Sequence, residues 1–283
     1  MYRLAERRVT YLWLTIALAL IAVLAITLTT SPSQAKTGTR TATAARPTVV
    51  LVNGAWANNA AWSGVIERLQ TEGYTVVAPP NPLQSLKGDA ATIADLLKTI
   101  KGPIVLVGHS YGGAVITNAA TGNRNVKALV YVDAFAPAKG ESALALDSTK
   151  PGSALGAGPT KVFDFVPFPG AHKGDAELYV KPSVFEQAFA NGLPAKEGAV
   201  LAATQSPVTY SAVTAPSGTP AWKTIPSWYV LGTIDEAIPP AIQLFMAQRI
   251  HAHITRVRAG HLSMVAAPGV VAKVITAAAR ATS

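Results

Sequence analysis

The 283-residue sequence contains no cysteine. Disulfides, thiolate nucleophiles, thiolate metal sites and a lipid-modified cysteine are all excluded by that one absence. Charge is scarce as well, at 14% of residues against 49% hydrophobic. A chain of this length with so much apolar material buries a large core, and one domain with an insertion accounts for it better than two independent ones. Acidic side chains are the rarer sign, 15 against 24 lysines and arginines, which leaves a formal net charge of +9. The basic residues are scattered and form no run, so the balance describes a solvated basic surface and no nucleic-acid partner. Only five histidines are present, which narrows the search for a base.

One stretch, residues 9–30, lacks charge altogether and follows Arg3, Arg7 and Arg8. Ser33-Gln34-Ala35 then offers a small-x-small cleavage pattern. The uncharged run is longer than an ordinary signal core and about long enough to cross a bilayer. Residues 1–35 are therefore expected to be a cleaved signal peptide or a retained anchor tethering the protein to a membrane. The residues flanking Arg7-Arg8 match a twin-arginine signal poorly. Either way the rest of the chain is expected outside the cytoplasm, periplasmic or extracellular.

Residues 36–46 show no apolar periodicity and read as a linker to a domain over 47–283. Short continuous apolar runs at 48–52, 75–78, 104–107, 128–132, 228–231 and 254–257 have the pattern of strands buried on both faces. Helical patterns lie between most of them, at about 60–70, 90–100, 113–120, 240–249 and 268–279. That alternation predicts an α/β fold, a doubly wound, mainly parallel sheet of about six strands. From about 138 to 225 the rhythm breaks, and no clear strand stands out among the prolines, glycines and phenylalanines. So long an interval is read as an inserted, mainly helical cap.

Gly108-His109-Ser110-Tyr111-Gly112 falls between a predicted strand and a predicted helix. A sharp strand-to-helix turn there lifts a serine hydroxyl clear of the sheet, which makes Ser110 the candidate nucleophile. A serine needs a base, and the base an orienting acid, in the chain order Ser, Asp or Glu, His. Asp235 and His261 follow the fifth and sixth runs directly and satisfy that order. His109 lies inside the turn, His172 in the cap, and His251 and His253 before the last strand. Two rivals for the acid stay open: adjacent Glu236, and Asp133 at the end of an earlier strand. An oxyanion would meet the backbone N–H of Tyr111 and, from the loop after the first strand, that of Ala55.

With these residues in place the chain, from about Pro47 to Ala279, resembles the α/β-hydrolase superfamily. Asn53-Gly54-Ala55-Trp56 with Trp62, residues 130–137, residues 228–240 and residues 259–264 resemble the branch holding plant methylesterases, hydroxynitrile lyases and bacterial esterase-like relatives. Asn53 departs from the histidine usual there, which bears on the geometry of the oxyanion loop. The resemblance implies a lysine after the catalytic histidine in the lyases, where it stabilises departing cyanide, and a threonine at the position of Gly54. This chain has Leu262 and Gly54 instead, so ester hydrolysis is implied over cyanohydrin cleavage. A serine at 110 argues against the aspartate-nucleophile dehalogenases and epoxide hydrolases.

The expected function is cleavage of a small, largely apolar carboxylic ester through an acyl-enzyme, with no cofactor and no metal. Two alternatives share the same residues: a receptor or carrier with little turnover, and an acyltransferase or perhydrolase. The cap aromatics Phe163, Phe165, Phe168, Phe185, Phe189 and Trp222 form either a substrate pocket or plain cap core.

Overall fold

The computed structural model describes residues 46–282. Six parallel strands form one sheet: β1 (Thr48–Val52), β2 (Val76–Val77), β3 (Ile104–His109), β4 (Val126–Val132), β8 (Ser227–Gly232) and β9 (His253–Val257). Their spatial order is β2-β1-β3-β4-β8-β9, which leaves β2 and β9 at the edges. The central strands β3 and β8 are buried at every position, as continuous apolar runs in a sheet covered on both sides must be. Edge strand β9 carries His253 and Arg256 and is only partly buried.

The helices α1 (Ser63–Thr71), α2 (Leu86–Thr99) and α3 (Tyr111–Ala119) complete the crossovers of the first half. In α2 the buried residues Leu86, Ala90, Ile93 and Leu97 recur at helical spacing, and the Ser85 hydroxyl caps the N-terminus by accepting from the Gly88 N–H. Each large apolar side chain fully buried in such a stripe contributes roughly 1.5–3 kcal/mol. Helices Pro240–Arg249 and Pro268–Ala281 follow β8 and β9, each opened by a proline whose missing N–H costs nothing there.

The interval between β4 and β8 is an insertion, and it corrects one expectation. It is mostly short helical segments, beginning with α4 (Ala143–Asp147), but it also holds a second sheet. This sheet is antiparallel, with β5 (Phe163–Val166) and β7 (Val208–Thr209) flanking β6 (Glu177–Val180). Arg249 ties the start of the insertion to the main sheet's flank. Its guanidinium grips Glu141 with two hydrogen bonds, at 2.7 and 2.8 Å, and the Ala136 carbonyl at 2.8 Å.

The uncharged stretch 9–30 and the cleavage pattern at 33–35 lie outside the described residues. Among the described residues no helix is long and apolar enough to cross a membrane.

Candidate active site

Ser110 stands between the end of β3 and the start of α3 with φ 52° and ψ −126°. A non-glycine residue in that region is strained, and the neighbouring packing holds it there. The Ser110 carbonyl accepts from the N–H groups of Gly113 and Phe135, at 2.9 and 3.1 Å. The turn is so crowded that a Cβ at Gly108 would lie 2.5 Å from the Gly112 carbonyl oxygen, and one at Gly112 would lie 2.6 Å from that of Val52. Two glycines of the motif are thus demanded by backbone contact.

The Ser110 hydroxyl lies 2.9 Å from His261 Nε2, and His261 Nδ1 lies 2.8 Å from Asp235 Oδ2. All three residues are buried, and each follows the C-terminal end of a parallel strand, where open α/β sheets bind their ligands. The carboxylate fixes the ring proton on Nδ1, which leaves the Nε2 lone pair facing the hydroxyl. Burial holds the His261 imidazole down, to about 3, so the ring is neutral and free to take a proton. Burial pushes the Asp235 carboxyl up, while the N–H groups of Ile238 and Ala237 and the Gln243 amide pull it back.

Neither rival for the acid is hydrogen-bonded to His261. Asp133 does not reach His261. Its Oδ1 accepts from the Gly232 N–H at 2.8 Å and its Oδ2 from the Ser263 N–H at 3.1 Å. It therefore pins together the two loops that carry Asp235 and His261. Glu236 makes no bond to the histidine; among the described carboxylates only Asp235 does.

The loop after β1 is built by Asn53, whose amide donates to the carbonyls of Gly54 at 3.1 Å and Ala57 at 2.9 Å. Every described peptide bond is trans, so the Gly54–Ala55 peptide points its N–H away from Asn53. Gly54 itself touches the elbow: a Cβ there would lie 2.5 Å from Ser110 Cβ and 3.1 Å from the Tyr111 nitrogen. Ala55 and Tyr111, the residues whose N–H groups are the candidate oxyanion donors, both line the cavity beside Ser110 and His261. Asparagine thus performs the loop-closing task with two donors of its own.

Several supporting residues were not singled out by the sequence. Asp89 on α2 accepts the Tyr111 hydroxyl at 2.8 Å, which anchors the residue after Ser110. Gln243 donates to Asp235 Oδ2 at 2.7 Å. His109 lies 3.0 Å from the His261 carbonyl oxygen through Nε2, and its ring packs 4.8 Å from that of His261. From the insertion, the Asn191 amide donates to the carbonyl of Ile234, next to Asp235. Their only sequence signal is a polar residue inside an apolar helical face, as at Asp89 and Gln243.

The cavity holds about 510 Å³ and is bounded by the sheet loops on one side and the insertion on the other. Trp56, Phe135, Phe163, Phe165 and Tyr210 supply its aromatic wall. The cap aromatics divide: Phe163 and Phe165 face the cavity, whereas Phe185 and Phe189 are fully buried, with the Phe189 ring packed 4.7 Å from that of His261. Trp222 donates its Nε1–H to the Pro137 carbonyl at 2.9 Å. Leu262 is buried and does not line the cavity. Among the described residues no group of three His, Asp or Glu side chains is placed to hold a metal ion.

The alpha/beta hydrolase family model matches residues 49–274. A carbendazim hydrolysing esterase of Nocardioides sp. is 34% identical over 110 residues, which cover 34% of this chain and only 46% of that protein, so the chain spans about half its length. An alpha/beta hydrolase of Aspergillus novofumigatus is 27% identical over 256 residues, 83% of this chain and 97% of that one. Among solved structures, polyneuridine aldehyde esterase superposes with a TM-score of 0.70 at 15% identity, covering 82% of this chain and 99% of that one. A pyrethroid hydrolase from Sphingobium faniae gives 0.63 at 23%, covering 83% and 98%. Likeness at these identities speaks for the fold alone.

Proposed function

This chain belongs to the alpha/beta hydrolase family, and on that premise we propose that it cleaves a small, largely apolar carboxylic ester through an acyl-enzyme on Ser110. The observation that carries the reading is the unbroken chain from the Ser110 hydroxyl through His261 to Asp235, at 2.9 and 2.8 Å, opening on an apolar cavity. His261 takes the hydroxyl proton as Ser110 Oγ attacks the ester carbonyl. The Ala55 and Tyr111 N–H groups meet the oxyanion, and His261 then protonates the leaving alcohol. Water, deprotonated by the same histidine, releases the acid. Asp235 holds the ring in the required tautomer and stabilises its charged form. The relative named as an esterase supports this choice of substrate class.

Buried Leu262 supplies no charge for a departing cyanide, which favours ester cleavage over the lyase reaction. Mandelonitrile should release no cyanide above background. A fluorophosphonate probe should label Ser110 and no other residue, by peptide mapping, and a short p-nitrophenyl ester should turn over steadily. A stoichiometric burst with no steady rate would instead fit a carrier. Export rests on residues 9–35 and is read by intact mass after expression in an exporting host. A start at Lys36 reports cleavage, a start at Met1 in the membrane fraction reports an anchor, and a soluble cytoplasmic product rejects export.

A further inference from the structure

The cavity wall is apolar except at a few points, and one of them has no task in the reaction described above. Asp147 ends α4, the first helix of the insertion, and is one of the residues that line the cavity. The segment that follows is fastened to the acid loop: the Ala154 N–H donates to the Glu236 carbonyl at 2.8 Å. Asp147 is thereby held on the side of the cavity that carries Asp235.

The carboxyl group is short of hydrogen-bond donors. Oδ1 is buried and accepts no hydrogen bond. The neighbouring Ser153 hydroxyl has one proton, which Asp147 must share with the Ala237 carbonyl, 2.8 Å from that hydroxyl. No described cation pairs with Asp147; Lys150, which also lines the cavity, is exposed and forms no ion pair with a described carboxylate. Burial raises the carboxyl to about 6, with the Ser153 hydroxyl opposing and the charge of Asp235 adding to the rise. A buried acceptor left without a donor is costly, and most such groups in folded proteins have a partner. An apolar pocket with one such group selects a ligand that is apolar over most of its surface and carries a donor at one point.

We propose that Asp147 determines specificity for the reaction at Ser110, accepting a hydrogen bond from an O–H or N–H group on the substrate remote from its scissile carbonyl. The inference rests on the ester-hydrolase reading and narrows it to esters that are mainly hydrocarbon or aromatic with one such donor. Sites built to hydrogen-bond a substrate group reject analogues lacking it far more strongly than apolar pockets reject a missing methylene.

The test compares near-isosteric esters that differ by one donor: phenyl acetates and p-nitrophenyl benzoates bearing hydroxymethyl or ethyl at the meta or para position. In the wild type at least one hydroxymethyl ester should exceed its ethyl partner in kcat/KM by about tenfold or more. Asp147→Leu should erase or invert that ratio, Asp147→Asn should keep part of it, and Lys150→Met should leave the ratio as in the wild type. Equal kcat/KM within every pair, or a ratio unmoved by Asp147→Leu, overturns the proposal. Affinity of the Ser110→Ala variant for the same pairs, by calorimetry, reads the preference without turnover. A protein that prefers the donor in binding yet hydrolyses no ester would retain the role of Asp147 and reject the esterase reading.

Discussion

The two faces of the cavity are built by different means. On the sheet side, Ser110, Asp235 and His261 sit buried at strand ends: the Ser110 carbonyl accepts from the Phe135 N–H of a neighbouring loop, Asp235 accepts from the Ala237 and Ile238 N–H groups of its own loop, and Asp133 joins the N–H groups of Gly232 and Ser263. On the insertion side the elements are short, the second sheet has strands of two to four residues, and Phe165, Val166 and Tyr210 stay exposed. Reaction geometry has to be held within fractions of an ångström, so it is carried by the part of the fold that cannot yield. Selection of a substrate tolerates variation, and on the proposed reading it falls to the part that can. The contrast implies that substitutions on the sheet side act on kcat, and those on the insertion side on which ester is preferred.

The largest effect should come from Ser110→Ala. It should abolish fluorophosphonate labelling and lower ester turnover by about 10⁴-fold or more, with the melting temperature maintained. Label persisting on another serine would move the chemistry off the sheet side altogether.

Next come the two buried aspartates, which separate reaction from scaffold within one face. Asp235→Asn should reduce kcat by roughly 10⁴-fold while the protein stays folded, because the amide favours the wrong tautomer of His261. Asp133→Asn should behave otherwise. Its new NH₂ would face the N–H of Gly232 or of Ser263, leaving that donor unpaired and costing about 1–3 kcal/mol of stability. Chemical or thermal denaturation alongside kinetics distinguishes the two. A large kcat loss in Asp133→Asn at intact stability would break the distinction.

That pair also marks how far the sequence could be read. The inner strands were legible because burial on both faces leaves uninterrupted apolar runs, the partly buried edges β2 and β9 from shorter ones, and the four helices between strands and the one after β9 showed their stripes. Ser110 and His261 were legible because chain order and strand ends restrict them severely. The acid was not decided, since Asp133 and Asp235 both end strands and only the turn geometry points one of them at His261. Sheet β5-β6-β7 escaped because Phe163–Val166 carries a charged residue and is exposed at all but its first position, and because β7 is two residues long and pairs with a strand distant in sequence. Asp89, Gln243 and Asn191 reach the site across the fold, which no local pattern records.

A third effect, smaller again, tests the loop after β1. In Gly54→Ala the added methyl would meet Ser110 Cβ and the His109 carbonyl oxygen, at 2.5 and 2.7 Å. Since the strained elbow cannot retreat, the loop must, and it carries the Ala55 N–H with it. Loss of one oxyanion donor costs about 10²- to 10³-fold in kcat, read by steady-state kinetics at saturating ester. A variant of normal kcat would mean that Ala55 does not serve the oxyanion.

The smallest effect probes where the two faces meet, at Trp56. Its Nε1–H donates to the Leu178 carbonyl at 2.7 Å, its backbone N–H donates to Ser206 at 2.8 Å, and its ring stacks on Phe163 at 5.3 Å. Trp56 is therefore the link through which the insertion could control the oxyanion loop. Trp56→Phe keeps an aromatic ring but leaves the Leu178 carbonyl without its donor, at a cost of about 1–3 kcal/mol. For a domain of this size that lowers the melting temperature by roughly 2–4 °C per kcal/mol. The Asn53 amide still closes the loop onto Gly54 and Ala57, so the Ala55 N–H keeps its direction and kcat should fall less than tenfold. Kinetics and calorimetry on the same preparation decide between two arrangements. A fall in stability with kcat maintained means that the sheet side sets the oxyanion donors by itself. A hundredfold loss of kcat at unchanged melting temperature would mean that the insertion holds them in place, and the division of labour between the two faces would fail at this residue.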